Sequence, residues 1–381
     1  MVMLGYGMVM PAIPFYIEKL GAGGQEMGWL ISSYSLMQLI CAPLWGQLSD
    51  RIGRKPVLAA GVLGYAMALL FFGLATKFWM LLLARTLSGI LSSAAMPTAL
   101  AYIGDNMPES ERSAGMGQLG AAIGAGVIAG PLMGGLLSAQ QLSLPFFIGA
   151  GMAGFAFLFV LVLLPESSRA AASRESEKIT PAAIRQALLS PAGLLLLLVL
   201  IMSFGMANFQ GIIGLYVVDR FDCSTRQVGT LWMVIGATLI LGQGALAGPL
   251  GRRGGEERLI RLGLAGGAIG FACIALAGNF ISALLAIGGF ILALALIGPA
   301  LNASLSRLAG EHQGSLMGLN SAAASLGRVA GPVLAGFLYD QNLRLPFWSG
   351  AMIFLLGTFL AIAFRPRVPP SHPPSSGQFL A

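Results

Sequence analysis

Charged residues are scarce in this chain. Only 10% of its 381 residues are Asp, Glu, Lys or Arg, whereas 56% are hydrophobic. A water-soluble domain carries about a quarter charged residues, so this composition excludes an ordinary water-exposed surface. We therefore expect lipid to surround most of the fold. Because lipid cannot satisfy backbone polar groups, the elements that cross it should be helices.

Cysteine and histidine are also rare, which limits the possible chemistry. The cysteines Cys41, Cys223 and Cys273 are scattered, so we expect no disulfide framework and no metal site. The histidines His312 and His372 fall outside the apolar runs. A polytopic membrane enzyme needs clustered histidines or carboxylates at membrane depth, so we predict no enzyme activity and no cofactor.

Twelve apolar segments are present instead, each about long enough to span the hydrocarbon as a helix of roughly 20 residues. They lie near 1–18, 27–47, 56–75, 79–101, 115–138, 145–164, 191–218, 227–250, 258–277, 280–302, 314–338 and 345–364. We predict an all-α membrane protein made of two six-helix bundles. The bundles should occupy 1–164 and 191–364, joined by a cytoplasmic linker at 165–190 and followed by a disordered tail at 365–381.

The distribution of Lys and Arg predicts the orientation in the membrane. When the N-terminus is placed inside and the segments alternate, the inner loops and tail hold 15 of the 22 basic residues and the outer loops hold five. Such an excess on short loops indicates the cytoplasmic side. Both termini are therefore predicted to be cytoplasmic. The net charge of +7 is explained by this face rather than by nucleic-acid binding.

The two halves of the chain also resemble each other. A shift of 201 residues places Gly28 on Gly229, Gly126 on Gly327 and Gly135 on Gly336. Glycine-rich helices match by chance, but the even number of segments and the midpoint linker favour a duplication. Parallel repeats predict two bundles related by an axis along the membrane normal, with a binding site at their interface.

Three stretches resemble the motifs of a known family. "GQLSDRIGRKPVL" (46–58) fits G-x-L-x-D-R-x-G-R-K-x-x-L at every position, and "GVIAGPLMGG" (126–135) fits G-x-x-x-G-P-x-x-G-G. "RTLSG" (85–89) fits R-x-x-x-G. The chain thus resembles the major facilitator superfamily, and within it the twelve-helix drug:proton antiporters of the tetracycline and multidrug exporter type. The resemblance implies two bundles that open alternately to either side of the membrane.

The first motif implies a conformational latch on the cytoplasmic side. In the family its carboxylate, here Asp50, contacts the start of segment 11, where a helix N-terminus gives about 0.3–1 kcal/mol. "DNMPESER" (105–112) is similar to the family's acid-to-arginine segment in the next cytoplasmic loop. The resemblance therefore implies a latch of Asp50, Arg54, Asp105 and Arg112 in the outward-facing state, with Asp50 paired to Arg112 and Arg54 as a further candidate partner. The alternative is that the basic residues only fix the topology.

The second motif has two interpretations. Gly126, Gly130 and Gly134 share one helix face, where small residues let backbones approach closely. Pro131 removes a hydrogen-bond donor and bends the helix. Packing alone accounts for this pattern. The family resemblance implies instead that segment 5, with Gly135, forms a leak-proof seam with segment 8.

Two arginines lie inside apolar segments. A charge at this depth costs at least about 2.5 kcal/mol, so such residues are usually functional. Arg85 lies about six residues into segment 4, and the resemblance links it, together with Asp50, to proton coupling. The alternative is that Arg85 extends to the outer surface. Arg328 lies near the middle of segment 11, where it either faces a central cavity or forms an interhelical pair.

A carboxylate in mid-membrane is missing from the sequence. All fifteen acidic residues map to loops or helix ends, and Gln210 or Asn208 stands where related antiporters commonly carry an acid in segment 7. A proton carrier needs a pKa that moves through the ambient pH, which an amide lacks. The remaining candidates are Asp50, Asp105, Glu18 and Asp219.

Polar and aromatic residues on apolar helices are the candidates for a substrate cavity. They are Tyr34, Gln38, Asn208, Gln210, Trp232, Asn302, Asn320 and Arg328. For the amides, a hydrogen bond between helices is an equally good explanation.

The sequence predicts a plasma-membrane (cell inner membrane) transporter that exports small amphipathic compounds by proton antiport. Its partners would be the small-molecule substrate, the proton and the lipid bilayer; we expect a monomer and no nucleic acid. The alternative is a facilitator or symporter for an anionic or sugar-like metabolite. The two intramembrane arginines favour that alternative, because a positive cavity attracts anions.

Overall fold

The structure is a computed structural model that describes residues 1–166, 185, 187–250, 255–309 and 313–363. Every regular element in this part of the chain is helical. The predictions for the tail, for most of the linker and for the arginines in the loop at 251–254 lie outside the described residues.

The first half of the chain forms eight helices. They are α1 (Val2–Val9), α2 (Ile13–Lys19), α3 (Gly24–Ile52), α4 (Arg54–Gly73), α5 (Phe78–Ser92), α6 (Ala95–Asn106), α7 (Glu109–Ser138) and α8 (Leu144–Leu163). Helix α3 continues beyond its apolar run and includes Asp50. It ends at Gly53, whose φ of 106° favours glycine, which explains the glycine at this position of the first motif.

The second half forms six helices and one π-helical turn. The helices are α9 (Pro191–Phe221), α10 (Thr225–Leu241), α11 (Glu256–Leu276), α12 (Phe280–Ala309), α13 (Gln313–Gln341) and α14 (Leu345–Ala363). The π-helix Gly242–Ala247 continues α10. Helix α10 begins with a reciprocal cap, because Ser224 Oγ accepts from the backbone N–H of Gln227 and the Gln227 side chain accepts from that of Ser224.

Eleven helices in the described part of the chain are long and apolar enough to cross a membrane, whereas the sequence predicts twelve segments. The eleven include a single span, Phe78–Asn106, that joins α5 and α6. The first predicted segment differs, because it consists of the two short helices α1 and α2, separated by a turn at 10–12. Pro11 lies in this turn, and proline lacks the N–H that would continue the helix.

Each half of the chain has its own hydrophobic core. One core is drawn from residues between 9 and 153 and contains Tyr16, Phe72 and Phe146, with the two Phe rings stacked 5.0 Å apart. The other is drawn from residues between 192 and 361 and contains Phe271 and Phe290, whose ring centroids lie 4.4 Å apart. In lipid such rings stabilise a bundle mainly through close packing.

Two helix pairs make the main contacts between the halves: α3 packs on α13, and α7 packs on α10. The two pairs are equivalent under the repeat. A Cβ on Gly28 would overlap the carbonyl oxygen of Pro332, and a Cβ on Gly229 would lie 2.7 Å from the carbonyl oxygen of Pro131. The glycines that match in sequence therefore hold the same kind of close backbone approach in both pairs.

Candidate functional site

A cavity lies between the two halves and is lined by helices of both. It has two adjoining compartments of about 240 Å³ each, which share Tyr6, Ile31, Arg85 and Gln210. The first compartment extends along α10 and is apolar; its further lining includes Met10, Pro131, Met206, Trp232, Ile235 and Leu239. The second is more polar and is further lined by Met3, Tyr34, Ser35, Gln38, Ala207 and Arg328.

Arg85 lines both compartments. The residue is 5% exposed, and its Nε atom has no hydrogen-bond partner. Its guanidinium carbon lies 4.6 Å from the centroid of the Tyr34 ring, a cation–π contact that offsets part of the cost of burying the charge. The structure therefore places Arg85 in the interior, and its alternative placement at the outer surface is wrong.

The other predicted arginine, Arg328, also lies on the cavity wall. It lines the second compartment, and its Nη2 atom donates to Ser325 Oγ at 2.9 Å on its own helix. Arg328 thus lines the cavity, and its hydrogen bond to Ser325 lies within one helix.

Four of the uncharged residues predicted for the cavity are also on its wall. Gln210 lines both compartments, Tyr34 and Gln38 line the second, and Trp232 lines the first. The indole Nε1 of Trp232 is buried and has no hydrogen-bond partner. The structure therefore collects hydrogen-bond donors from both halves around one space.

Three predicted cavity residues lie elsewhere, which corrects their assignment. Asn208 is fully buried inside the second half, where its Nδ2 donates to Ser349 Oγ at 3.5 Å. It lies two positions from Gln210, which turns it about 200° around the helix and away from the cavity. Asn320 Nδ2 donates to Asn302 Oδ1 at 3.0 Å, outside both compartments. All three amides thus serve contacts between helices.

Four cavity residues on the first segment are missing from the sequence-based set: Met3, Tyr6, Gly7 and Met10. Tyr6 lines both compartments, and Met10 lines the first. A polar aromatic residue on an apolar segment is the same signal that selects Tyr34, so Tyr6 was detectable. Met10 has no such signal, because a methionine in an apolar run is indistinguishable from ordinary packing.

Three glycines of the second motif, Gly126, Gly130 and Gly134, pack against α1, whereas other residues of α7 pack on α10, which contains the start of the predicted segment 8. A Cβ on Gly126 would lie 2.8 Å from Leu4 N, one on Gly130 would lie 2.7 Å from Leu4 O, and one on Gly134 would overlap Met8 O. These contacts are within the first half. Gly135 lies about 100° further around α7. It faces α10, where Thr225 Oγ1 donates to its carbonyl oxygen at 3.0 Å.

One end of the interface between the halves is closed, and we call it the closed rim. Asp340, at the end of α13, accepts hydrogen bonds from the backbone N–H groups of Gly24 at 2.8 Å and Gln25 at 3.1 Å. These N–H groups belong to the first turn of α3, which has no partners of its own for them. Ser32 Oγ donates to Val329 O at 2.7 Å further along the same pair. The first and second halves are therefore bound together here.

A second carboxylate contact crosses the closed rim. The carboxyl group of Glu18, at the end of α2, lies beside that of Asp219 on α9. Tyr339 Oη donates to Asp219 Oδ2 at 2.6 Å. Two carboxylates held this close repel each other, which favours a proton on one of them. Closure of this rim thus places a protonatable pair between the halves.

The opposite end of the interface is the open rim, which carries the first motif. Arg54 Nη1 lies 2.5 Å from Asp50 Oδ1, and Arg54 Nε lies 2.8 Å from Asp105 Oδ2. The Asp50 side chain is 63% exposed. Asp50 thus pairs with Arg54, the further partner that the resemblance implies, whereas Arg112 Nε donates to the carbonyl oxygen of Met107 at 3.1 Å. The pairing of Asp50 with Arg112 stays a prediction for the conformation in which this rim is closed.

The site as a whole can hold a small molecule and release it on one side. Among the described residues, no group of three or more His, Cys, Asp or Glu side chains is placed to hold a metal ion. The cavity offers apolar walls, aromatic rings and N–H donors. Its chemistry is that of binding and passage.

Comparison with known proteins gives a family and several relatives. A family model described as Major Facilitator Superfamily matches residues 1–298 and 280–380. Multidrug resistance protein 2 of Bacillus subtilis (strain 168) is 30% identical over 371 residues, covering 96% of this chain and 92% of that protein. Tetracycline resistance protein, class G, of Vibrio anguillarum is 32% identical over 376 residues, covering 95% of this chain and 93% of that protein.

Solved structures share the fold at low sequence identity. A bacterial homologue of the human lysosomal transporter Spinster, in an inward-facing and occupied conformation, superposes with a TM-score of 0.78 at 14% identity, covering 97% of this chain and 96% of that chain. The nucleoside transporter NupG superposes with a TM-score of 0.77 at 16% identity, covering 95% and 96%.

Proposed function

This chain belongs to the Major Facilitator Superfamily, and we propose that it exports small amphipathic compounds by proton antiport through alternating access. The observation that carries the proposal is a cavity lined by both halves and closed at one rim only. Relatives similar over most of the chain are named for multidrug and tetracycline resistance. Both names describe resistance to toxic compounds, which export from the cell would provide.

The proposal includes an orientation. The open rim carries Arg51, Arg54 and Lys55, which belong to the basic excess that marks the cytoplasmic side. The structure then corresponds to a conformation open to the cytoplasm, with the closed rim facing outward. The chain would cross the plasma membrane twelve times, with α1 and α2 together as the first crossing, and would act as a monomer.

Proton coupling is the less constrained part of the proposal. The described acidic side chains at the rims are the available carriers, because neither compartment is lined by Asp or Glu among the residues described. Glu18 and Asp219 contact each other across the halves when the closed rim is closed. Such a pair binds a proton while the two carboxyl groups are close. It releases the proton when the halves separate, because the repulsion between the two carboxylates is then removed.

An efflux assay tests the function. Cells that produce the chain are loaded separately with ethidium, Nile red or fluorescein, which are cationic, neutral and anionic, and efflux is followed with and without a proton uncoupler. We expect at least one dye to leave faster than from control cells, and the uncoupler to abolish the difference. Efflux that persists unchanged under the uncoupler contradicts antiport and favours the facilitator for an anionic or sugar-like metabolite.

Arg85→Ala is the informative variant in this assay, because it removes the buried charge shared by both compartments. Arg258→Ala is the matched control, since Arg258 is exposed at the start of α11. We expect the first change to reduce efflux at least about tenfold and the second to leave it unchanged. Equal rates for the two variants would contradict a transport role for the cavity.

A further inference from the structure

The cavity wall carries positive charge without a matching negative charge. The charged side chains that line the two compartments are Arg85 and Arg328, and none of the described lining residues is Asp or Glu. The ion pairs within the described part of the chain involve Arg54, Arg261 and Arg307 instead. The site therefore presents two cations to whatever enters it.

The cavity also presents hydrogen-bond donors that lack acceptors. Arg85 is only 5% exposed. Its Nε and the indole Nε1 of Trp232 are both buried and have no hydrogen-bond acceptor. Leaving a buried donor unpaired costs about 1–3 kcal/mol, and more when the group is charged. The Tyr34 ring compensates the charge of Arg85 but offers no oxygen to Nε. A ligand with an anionic oxygen could accept a hydrogen bond from these unpaired N–H donors.

The remaining wall is suited to an apolar body. Met10, Met206, Ile235 and Leu239 line the first compartment beside Trp232. Arg85 belongs to both compartments, so it lies where they join. An anionic group held at this junction leaves the rest of a molecule in the first compartment, against methionine and aliphatic side chains that adapt to varied shapes.

We propose that this cavity selects amphipathic compounds that carry a carboxylate, with Arg85 as the charge partner and the first compartment as the seat of the apolar body. A guanidinium matches a carboxylate with two parallel hydrogen bonds, which makes the pairing both strong and directional. Arg328, in the second compartment, adds attraction from the side. This inference rests on the proposed function, because it names the class of compound carried.

A matched pair of probes tests the charge preference directly. 1-Pyrenebutyrate and 1-pyrenebutanamide have the same apolar body and differ in the anionic group. Binding to the purified full-length chain in lipid nanodiscs is followed by energy transfer from tryptophan to pyrene, with Trp232 on the cavity wall as one donor. We expect the carboxylate to bind at least about tenfold more tightly than the amide, equivalent to about 1.4 kcal/mol.

Substitutions then locate the preference. Arg85→Gln should remove most of the ratio between the two probes, whereas Arg85→Lys should keep part of it because the charge remains. Arg328→Gln should reduce the ratio less, and it provides a second variant if Arg85→Gln fails to fold. Arg258→Gln, at an exposed position, should leave the ratio unchanged.

Equal affinities for the two probes in the unmodified chain would overturn the inference, as would an unchanged ratio in both Arg85→Gln and Arg328→Gln. Neither result touches the proposed function if uncoupler-sensitive efflux of Nile red or ethidium is observed. Failure of all dyes in the efflux assay, together with a preserved carboxylate preference, would instead leave the anion site standing and contradict drug export.

Discussion

The closed and open rims are built from the same helices, yet only one of them brings the halves together. Gly28 and Gly46 lie about five turns apart on the same face of α3. A Cβ on Gly28 would overlap Pro332 O, whereas no atom lies within 4 Å of one on Gly46. Gly135 and Gly117 on α7 repeat this contrast. A Cβ on Gly135 would lie 2.6 Å from Thr225 O, whereas no atom lies within 4 Å of one on Gly117.

This contrast teaches that small residues line the interface at both rims, including where nothing touches them. A glycine face with no neighbour has no packing role in this conformation, and we predict that the faces at the open rim meet their partner helices when that rim closes. The carboxylates follow the same rule. Asp340 accepts from the N-terminus of α3 at the closed rim, while Asp50 at the other end of α3 is exposed. We therefore predict that the antiparallel helices α3 and α13 can also meet at the other end.

The largest expected effect comes from adding one methyl group at the closed rim. Gly28→Ala should prevent close approach to Pro332, and overpacking of this kind costs about 1–3 kcal/mol. We expect the closed rim to open about thirtyfold more often, in line with about 2 kcal/mol. The measurement is the rate at which Met10→Cys, on the cavity wall, reacts with an impermeant maleimide added on the closed-rim side of proteoliposomes.

Gly46→Ala is the matched control, because it adds the same methyl group on the same helix face at the open rim. It should leave labelling of Met10→Cys unchanged or slow it by disfavouring closure of the other rim. Cys223 adds little background in this assay, because burial raises the pKa of its thiol to about 11. Faster labelling in both glycine variants would mean that helix destabilisation, and not the rim, is being measured.

A somewhat smaller effect is expected at Asp340. Hydrogen bonds to a charged group contribute about 1.5–3 kcal/mol, and Asp340→Ala removes two such bonds from the first turn of α3. The same maleimide assay should show at least about tenfold faster labelling, with Asp340→Asn intermediate because one acceptor oxygen remains. Asp222→Asn is the control, since Asp222 is exposed at the end of α9 with φ of 52°, which asparagine tolerates.

At the open rim we expect a ranking within one cluster. Arg54 is 18% exposed on its side chain and bridges two carboxylates, so Arg54→Gln leaves Asp105 without its partner and should cost about 1–2 kcal/mol. Asp50→Asn removes an exposed ion pair that contributes only about 0–1 kcal/mol. Thermal unfolding in detergent should therefore show the larger loss for Arg54→Gln. A larger loss for Asp50→Asn than for Arg54→Gln would contradict this ranking and would mean that Asp50 mainly stabilises the present conformation.

The smallest expected effect concerns a single hydroxyl. Ser32→Ala removes the 2.7 Å bond to Val329 O across the halves and should speed maleimide labelling only a few-fold, in line with about 1 kcal/mol. Ser33→Ala is a close control, because Ser33 Oγ donates to Leu30 O within α3. Identical rates for the two variants would show that the hydroxyl contact does not hold the rim.

Hydropathy predicts where the helices lie but not where they begin and end. Apolar runs identify the elements, but α3 and α7 extend beyond them, because Asp50 and Glu109 stand at helix ends outside the apolar stretch. The turn around Pro11 divides the first segment into α1 and α2, and prolines at 43 and 131 leave α3 and α7 continuous. A proline alone does not say whether a helix bends or breaks.

The sequence predicts a cavity residue correctly when its side chain is costly to expose to lipid. It fails when the rotation of a helix decides which of two similar residues faces the cavity. Arg85 and Arg328 are charges that need a polar neighbourhood, so their placement follows from their chemistry. Asn208 and Gln210 look alike in the sequence, and only the rotation of α9 separates them. Asp340 escaped notice because its partners are backbone N–H groups, which leave no signature in the sequence.

The central claim is that one rim closes when the other opens, and a pair of distances tests it most directly. Spin labels at Lys19→Cys and Asn342→Cys report on the closed rim, and labels at Ile52→Cys and Gly314→Cys report on the open rim, in a background without native cysteines. Pulsed EPR distances are compared with and without Asp340→Ala. The account predicts that the first distance lengthens while the second shortens. A longer first distance with an unchanged second one would contradict it.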